Sequence, residues 1–156
     1  MEDKQYLLLT KQAIGLIENE PDVIANLANL SALISMNIER LNWVGFYFLK
    51  DNELVLGPFQ GKPACVRIPV GRGVCGTAIA TSRTLRVEDV HAFEGHIACD
   101  CESRSELVIP FYLNGKPAGV LDLDSPVKGR FSESDELGFT HLIRETEKLL
   151  NSQSNV

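Results

Sequence analysis

The sequence predicts a single α+β domain over residues 1–156, with helices packed on an antiparallel sheet. Three observations carry this. Both ends show apolar residues at three- and four-residue steps; the middle holds short runs of aromatic and β-branched residues; and two of those runs flank Asn114-Gly115, the dipeptide preferred by a two-residue hairpin turn.

Residues 4–17 (KQYLLLTKQAIGLI) and 21–41 (PDVIANLANLSALISMNIERL) are expected to be helical. Pro21 suits a first helical position, and Val23, Ile24, Leu27, Leu30, Ile34 and Ile38 share a stripe. At Trp43-Val44-Gly45-Phe46-Tyr47-Phe48-Leu49 the pattern changes to strand, and Lys50-Asp51-Asn52 turns it into a second run, Glu53 to Leu56. Cys65 to Pro69 reads as a short strand. A glycine turn, Gly71-Arg72-Gly73-Val74-Cys75-Gly76, follows it and leads into a helix over Thr77 to Ser82. Leu85 to Val87 is a further short strand, and Glu88 to Ser103 has no period and is expected to be a long loop. Ser105 to Leu113 and Lys116 to Asp124 form the Asn-Gly hairpin. Ser132-Glu133-Ser134-Asp135 opens a last amphipathic helix to about Leu150, with the tail 151–156 frayed.

At this length a chain hides roughly 70% of its unfolded surface, enough for a real core. The composition, 44% hydrophobic and 23% charged, is that of a soluble globular protein, and no apolar run reaches a membrane span of roughly 20 residues. The start, Met1-Glu2-Asp3-Lys4, is not that of a signal peptide, so the expected location is cytoplasmic. Fifteen basic against 21 acidic residues give a net charge of −6 with no Lys/Arg cluster, which argues against nucleic acid as a partner.

The chemistry-bearing residues start with cysteine. Cys65, Cys75, Cys99 and Cys101 lie ten, twenty-four and two residues apart, without the Cys-x-x-Cys knuckle of a zinc site, and no metal is expected. Cys99 and Cys101 fall in a polar segment, HIACDCESRSE, where a thiol meets oxidants. His91, His96 and Arg104 are local groups that favour a thiolate at Cys99; the bland alternative is an idle loop thiol. Cys75 either gains thiolate stabilisation from the helix N-terminus after it or is a small buried residue in a glycine turn. Cys65 reads most simply as a core cysteine. Asp122 and Asp124, two apart in a strand, face one side, and Glu106 opens the strand across the turn, so three carboxylates can converge. Paired acids raise one another's pKa, so one can hold a proton near neutral pH while another binds a cation such as an ammonium; a solvated strand end is the simpler reading. Trp43 and Tyr47 share a face, and Gly45 between them leaves room opposite. They are either core or an aromatic wall for a sulfur or methyl group.

Together, Trp43-Val44-Gly45-Phe46-Tyr47, Gly61-Lys62-Pro63-Ala64-Cys65, Gly71 to Gly76, His96-Ile97-Ala98-Cys99-Asp100, Ser105-Glu106, Gly119 to Ser125 and Arg130-Phe131-Ser132 make the chain closely resemble the free methionine-(R)-sulfoxide reductases, a family of single GAF domains. The likeness spans residues 5 to 150. It implies a central antiparallel sheet with helices on one face and a small-molecule pocket on the other. It also implies Cys99 as the nucleophile on the sulfoxide sulfur, Cys65 as the thiol that resolves the sulfenic acid to a disulfide, and Cys75 as an auxiliary thiol. Glu106, Asp122 and Asp124 would bind the substrate ammonium and protonate the sulfoxide oxygen, and Trp43 and Tyr47 would enclose the methyl end. The substrate would be free L-methionine-(R)-sulfoxide, with no bound cofactor, thioredoxin as external reductant and a homodimer as the assembly.

Cys101 stands where the family more often has a small non-thiol residue. It either competes with Cys65 for the sulfenic acid or is a bystander; a Cys99–Cys101 bridge would close only a strained small ring, and Cys65 stays the partner that the resemblance implies. Three readings from other classes remain beside the reductase: a GAF ligand sensor, a zinc-bound structural module and a Cys/His hydrolase using Cys99 with His91 or His96.

Overall fold

The computed structural model describes residues 3–95 and 102–153. In chain order these form α1 (Lys4–Ile17), α2 (Val23–Asn37), β1 (Trp43–Lys50), β2 (Glu53–Gly61), β3 (Arg67–Pro69), α3 (Gly73–Thr81), β4 (Leu85–Val87), β5 (Ser105–Leu113), β6 (Lys116–Ser125) and α4 (Glu133–Gln153). The strands make one six-stranded sheet of order β3-β2-β1-β6-β5-β4, every neighbouring pair antiparallel. This is the α+β fold expected.

Period-2 alternation gives each central strand two different faces. Val44 and Phe46 of β1, Leu107, Ile109 and Phe111 of β5, and Leu121 and Leu123 of β6 point to one side. There they pack with Leu9, Leu30, Ile34, Phe139 and Leu142 of α1, α2 and α4. Trp43, Tyr47, Val108 and Val120 point to the other side, where Val74, Cys75, Ala78 and Ile79 of α3 cover them. The large core thus lies under three helices, and α3 roofs the opposite face.

Element ends differ from the sequence reading for local reasons. Pro21 lies outside α2, because the Asp22 carboxylate accepts a hydrogen bond from the Ala25 N–H at 2.9 Å and caps the helix one residue later. The helix also stops at Asn37, where Ile38 turns extended. α3 begins at Gly73 rather than Thr77: Gly71 adopts φ 92° and its N–H donates to the Gly76 carbonyl at 2.8 Å, closing the turn that starts the helix. Cys65 precedes β3 instead of opening it, β2 extends beyond Leu56 to Gly61, and α4 runs past Leu150 to Gln153. Within Glu88 to Ser103, Val90–Ala92 forms one 3-10 turn.

Gly119 marks the tightest approach in the sheet, since a Cβ there would overlap the Tyr47 carbonyl oxygen of the neighbouring strand. Gly119→Ala is therefore expected to cost about 2–4 kcal/mol by prying β1 from β6. Equilibrium urea unfolding reads this, and a change under about 0.5 kcal/mol would contradict it.

Candidate active site

The site lies on the sheet face under α3, in a pocket lined by residues from β1, β5, β6, the segment before β3 and the start of α3. Strand register places its polar floor. Glu106 of β5 sits opposite Asp124 of β6, and across β6 Trp43 of β1 also sits opposite Asp124, with Gly45 opposite Asp122. The convergence depends on an irregularity between Phe111 and Tyr112. The Leu113↔Lys116 register, carried on unbroken for seven residues, would pair Glu106 with Leu123 and turn it to the helix-covered core. The bulge instead pairs Phe111 with Gly119 and Tyr112 with Pro117, which moves Glu106 to the face of Asp122 and Asp124.

All three acids are buried, Glu106 to 7% exposure, Asp122 to 6% and Asp124 to 9%. Burial, followed by the neighbouring charges of Asp122 and Asp124, pushes the Glu106 carboxyl well above the ordinary range. Burial also raises Asp122, opposed by the hydrogen bonds it receives from Glu106, Cys75 and Asp124. Both carboxyls are thereby biased toward their protonated forms, Glu106 further by the charges of its neighbours. The Asp122 Oδ1 atom is buried and has no hydrogen-bond partner among the described residues, in a side chain that lines the pocket.

Cys75, 4% exposed, sits in the first turn of α3 with its thiol 3.7 Å from Glu106 Oε2. Of the two readings of this residue, the structure favours the buried one. Burial first, then the charges of Asp122, Glu106 and Asp124, push its pKa up, which outweighs any help from the helix end and keeps the thiol protonated.

The wall is aromatic. Trp43 stacks on Tyr47 at 5.9 Å and on Phe59 at 5.2 Å. The room expected beside Gly45 is filled by Phe59, which a Cβ on Gly45 would strike. Trp43 Nε1 donates to the Lys62 carbonyl at 3.2 Å and the Tyr47 hydroxyl to the Cys65 carbonyl at 2.8 Å, so the wall holds the Cys65 segment in place. Burial and the Asp122 charge raise the Tyr47 phenol, which stays a donor.

Cys65, next in the chain after the lining residues Pro63 and Ala64, is half-buried and disulfide-bonded, whereas Cys75 is free. The readings of Cys99, Cys101 and His96 lie outside the described residues. His91, in the 3-10 turn, and Arg104 do not line the pocket.

Sequence reasoning missed Pro63, Ala64, Ile68, Arg72 and Ser103 as lining residues. Adjacency to Cys65 and Cys75 was the available signal for Pro63, Ala64 and Arg72. Ser103, whose hydroxyl accepts from Asn42 Nδ2 at 3.1 Å, carried none. Arg72, exposed, is the one basic side chain lining the pocket among the described residues.

The model of the GAF domain family matches residues 24–145. Protein YtsP of Bacillus subtilis is 57% identical over 95% of this chain and 92% of its own length. Free methionine-R-sulfoxide reductase of Escherichia coli is 53% identical over 93% of this chain and 88% of its own. A solved structure of Staphylococcus aureus fRMsr in complex with substrate superposes with a TM-score of 0.90 at 51% identity, covering 96% of this chain and 98% of that one.

Proposed function

The chain belongs to the GAF domain family and, within it, to the free methionine-R-sulfoxide reductases, which are oxidoreductases; on that premise we propose that it reduces free L-methionine-(R)-sulfoxide through a cysteine sulfenic acid and an intramolecular disulfide. The observation that carries this reading is the buried Glu106–Asp122–Asp124 cluster, with Glu106 holding a proton, set beneath the Trp43–Tyr47 wall and beside Cys65.

The substrate ammonium pairs with Asp122 Oδ1 and Asp124, while the methyl and sulfur end lies on Trp43 and Tyr47. A peptide-bound sulfoxide carries an amide there, which would leave buried carboxylates unpaired, so free substrate is selected. Cys99 attacks the sulfoxide sulfur as Glu106 delivers its proton to the oxygen, which becomes the oxygen of a Cys99 sulfenic acid as methionine leaves. Cys65 then attacks the sulfenic sulfur, expelling water and forming the Cys65–Cys99 disulfide, and thioredoxin returns both thiols. The disulfide at Cys65, beside a free Cys75, supports this division of labour. Cys75 is the auxiliary thiol that donates to the acid cluster. No bound cofactor takes part, and recycling by thioredoxin places the reaction in a reducing cytoplasm.

Pre-reduced protein without added reductant is expected to form one methionine per chain and lose two thiols, mapped by mass spectrometry to Cys65 and Cys99. A disulfide mapped to Cys75, or methionine formed without thiol loss, would overturn the proposed route.

A further inference from the structure

The cysteine spacing that argued against a zinc knuckle does not test a site built from one thiol and two carboxylates. Cys75 of α3, Glu106 of β5 and Asp122 of β6 bring a Sγ and two carboxylate oxygens within 4.8 Å of one another, all three side chains buried. Three rigid elements supply them. A tetrahedral zinc ion, with Zn–S about 2.3 Å and Zn–O about 2.0–2.2 Å, sets its ligand atoms about 3.5 Å apart. The Cys75 Sγ to Glu106 Oε2 separation is already 3.7 Å. Besides this clustering, Asp122 lines the pocket in a side chain only 6% exposed, and its Oδ1 has no hydrogen-bond partner among the described residues, an oxygen left to a ligand.

We propose that Cys75, Glu106 and Asp122 form a site for one divalent cation of the zinc class at the pocket floor, and that its occupancy shuts the enzyme off. A thiolate with two carboxylates suits a borderline-soft ion better than magnesium or calcium, which take oxygen ligands. Binding displaces the thiol proton of Cys75 and the carboxyl proton of Glu106 to solvent, leaving a fourth position open to water from the pocket. The ion therefore removes the proton that the reduction uses and occupies the place of the substrate ammonium. The effect on turnover rests on the reaction proposed above; the binding site does not.

Cobalt binding tests the site without turnover. In the variant Cys65→Ser/Cys99→Ser/Cys101→Ser, Cys75 is the one remaining thiol. This variant is expected to bind one Co²⁺ per chain and show a near-ultraviolet thiolate-to-cobalt band. Adding Cys75→Ser should abolish the band, and adding Asp122→Asn or Glu106→Gln should weaken binding about tenfold or more, with circular dichroism confirming the fold of each. Absence of one-equivalent binding by the folded triple variant, or binding indifferent to both Asp122→Asn and Glu106→Gln, would overturn the site. In single turnovers of the pre-reduced wild-type chain, Zn²⁺ is expected to raise the half-saturating substrate concentration and leave the saturated rate unchanged. A lowered saturated rate would overturn the competitive shut-off while leaving the cobalt result to judge the site.

Discussion

Cys99→Ser is expected to lower methionine formation by roughly 10³-fold or more, the scale of losing a covalent nucleophile. A serine hydroxyl in that place has no accessible anion near neutral pH and cannot form a sulfenic acid, so neither the first half-reaction nor the disulfide follows. Cys65→Ser separates the two steps. On the proposed route this variant is expected to retain the first turnover and then stall as a sulfenic acid that a dimedone-type probe traps, because Cys65 is the proposed resolving thiol. Multiple-turnover rates for Cys99→Ser equal to those of the wild-type chain would remove it from the mechanism.

Glu106→Gln is expected to slow the reductive step by about 10²–10⁴-fold, the usual contribution of a positioned general acid, with all four thiols intact. The amide fills the same space but carries no transferable proton. Stability should move the opposite way. Glu106 and Asp122 are raised in the folded protein by burial, and Glu106 further by the neighbouring charges, so above the ordinary carboxylate range the folded chain binds more protons than the unfolded one. Their favourable contribution is therefore complete below about pH 4 and is lost as pH rises toward the folded values. Glu106→Gln removes that loss and should stabilise the protein near pH 8 by on the order of 1 kcal/mol, with little effect near pH 4. Thermal unfolding at the two pH values reads this. A variant less stable at pH 8 than at pH 4, relative to wild type, would contradict the buried-acid description.

The order of elements was legible because hydrophobic period and turn chemistry agree: Asn114 and Gly115 both adopt the positive φ, 54° and 76°, that their hairpin requires. Strand alternation likewise put Asp122 with Asp124, and Trp43 with Tyr47. The meeting of Glu106 with those acids was harder, since the bulge beside Tyr112 decides which face Glu106 takes, and a one-residue slip reverses it. The protonation of Cys75 was open from sequence for a related reason. A helix N-terminus is local and visible, whereas what overrules it is burial first and then carboxylates from β5 and β6, which lie more than thirty residues away along the chain. Pro21 was misplaced because two cap signals stand side by side, and the Asp22 carboxylate that makes the hydrogen bond sets the boundary.

Reduction of free L-methionine-(R)-sulfoxide by the purified chain with a dithiol reductant, run beside the S epimer and a peptide-bound sulfoxide, tests the central claim most directly. Membership of the free methionine-R-sulfoxide reductases predicts turnover of the R epimer, and the proposed pairing of a free ammonium with the buried carboxylates predicts that only the free form is reduced. Equal turnover of the peptide-bound sulfoxide, or no turnover of any of the three by folded, reduced protein, would contradict it.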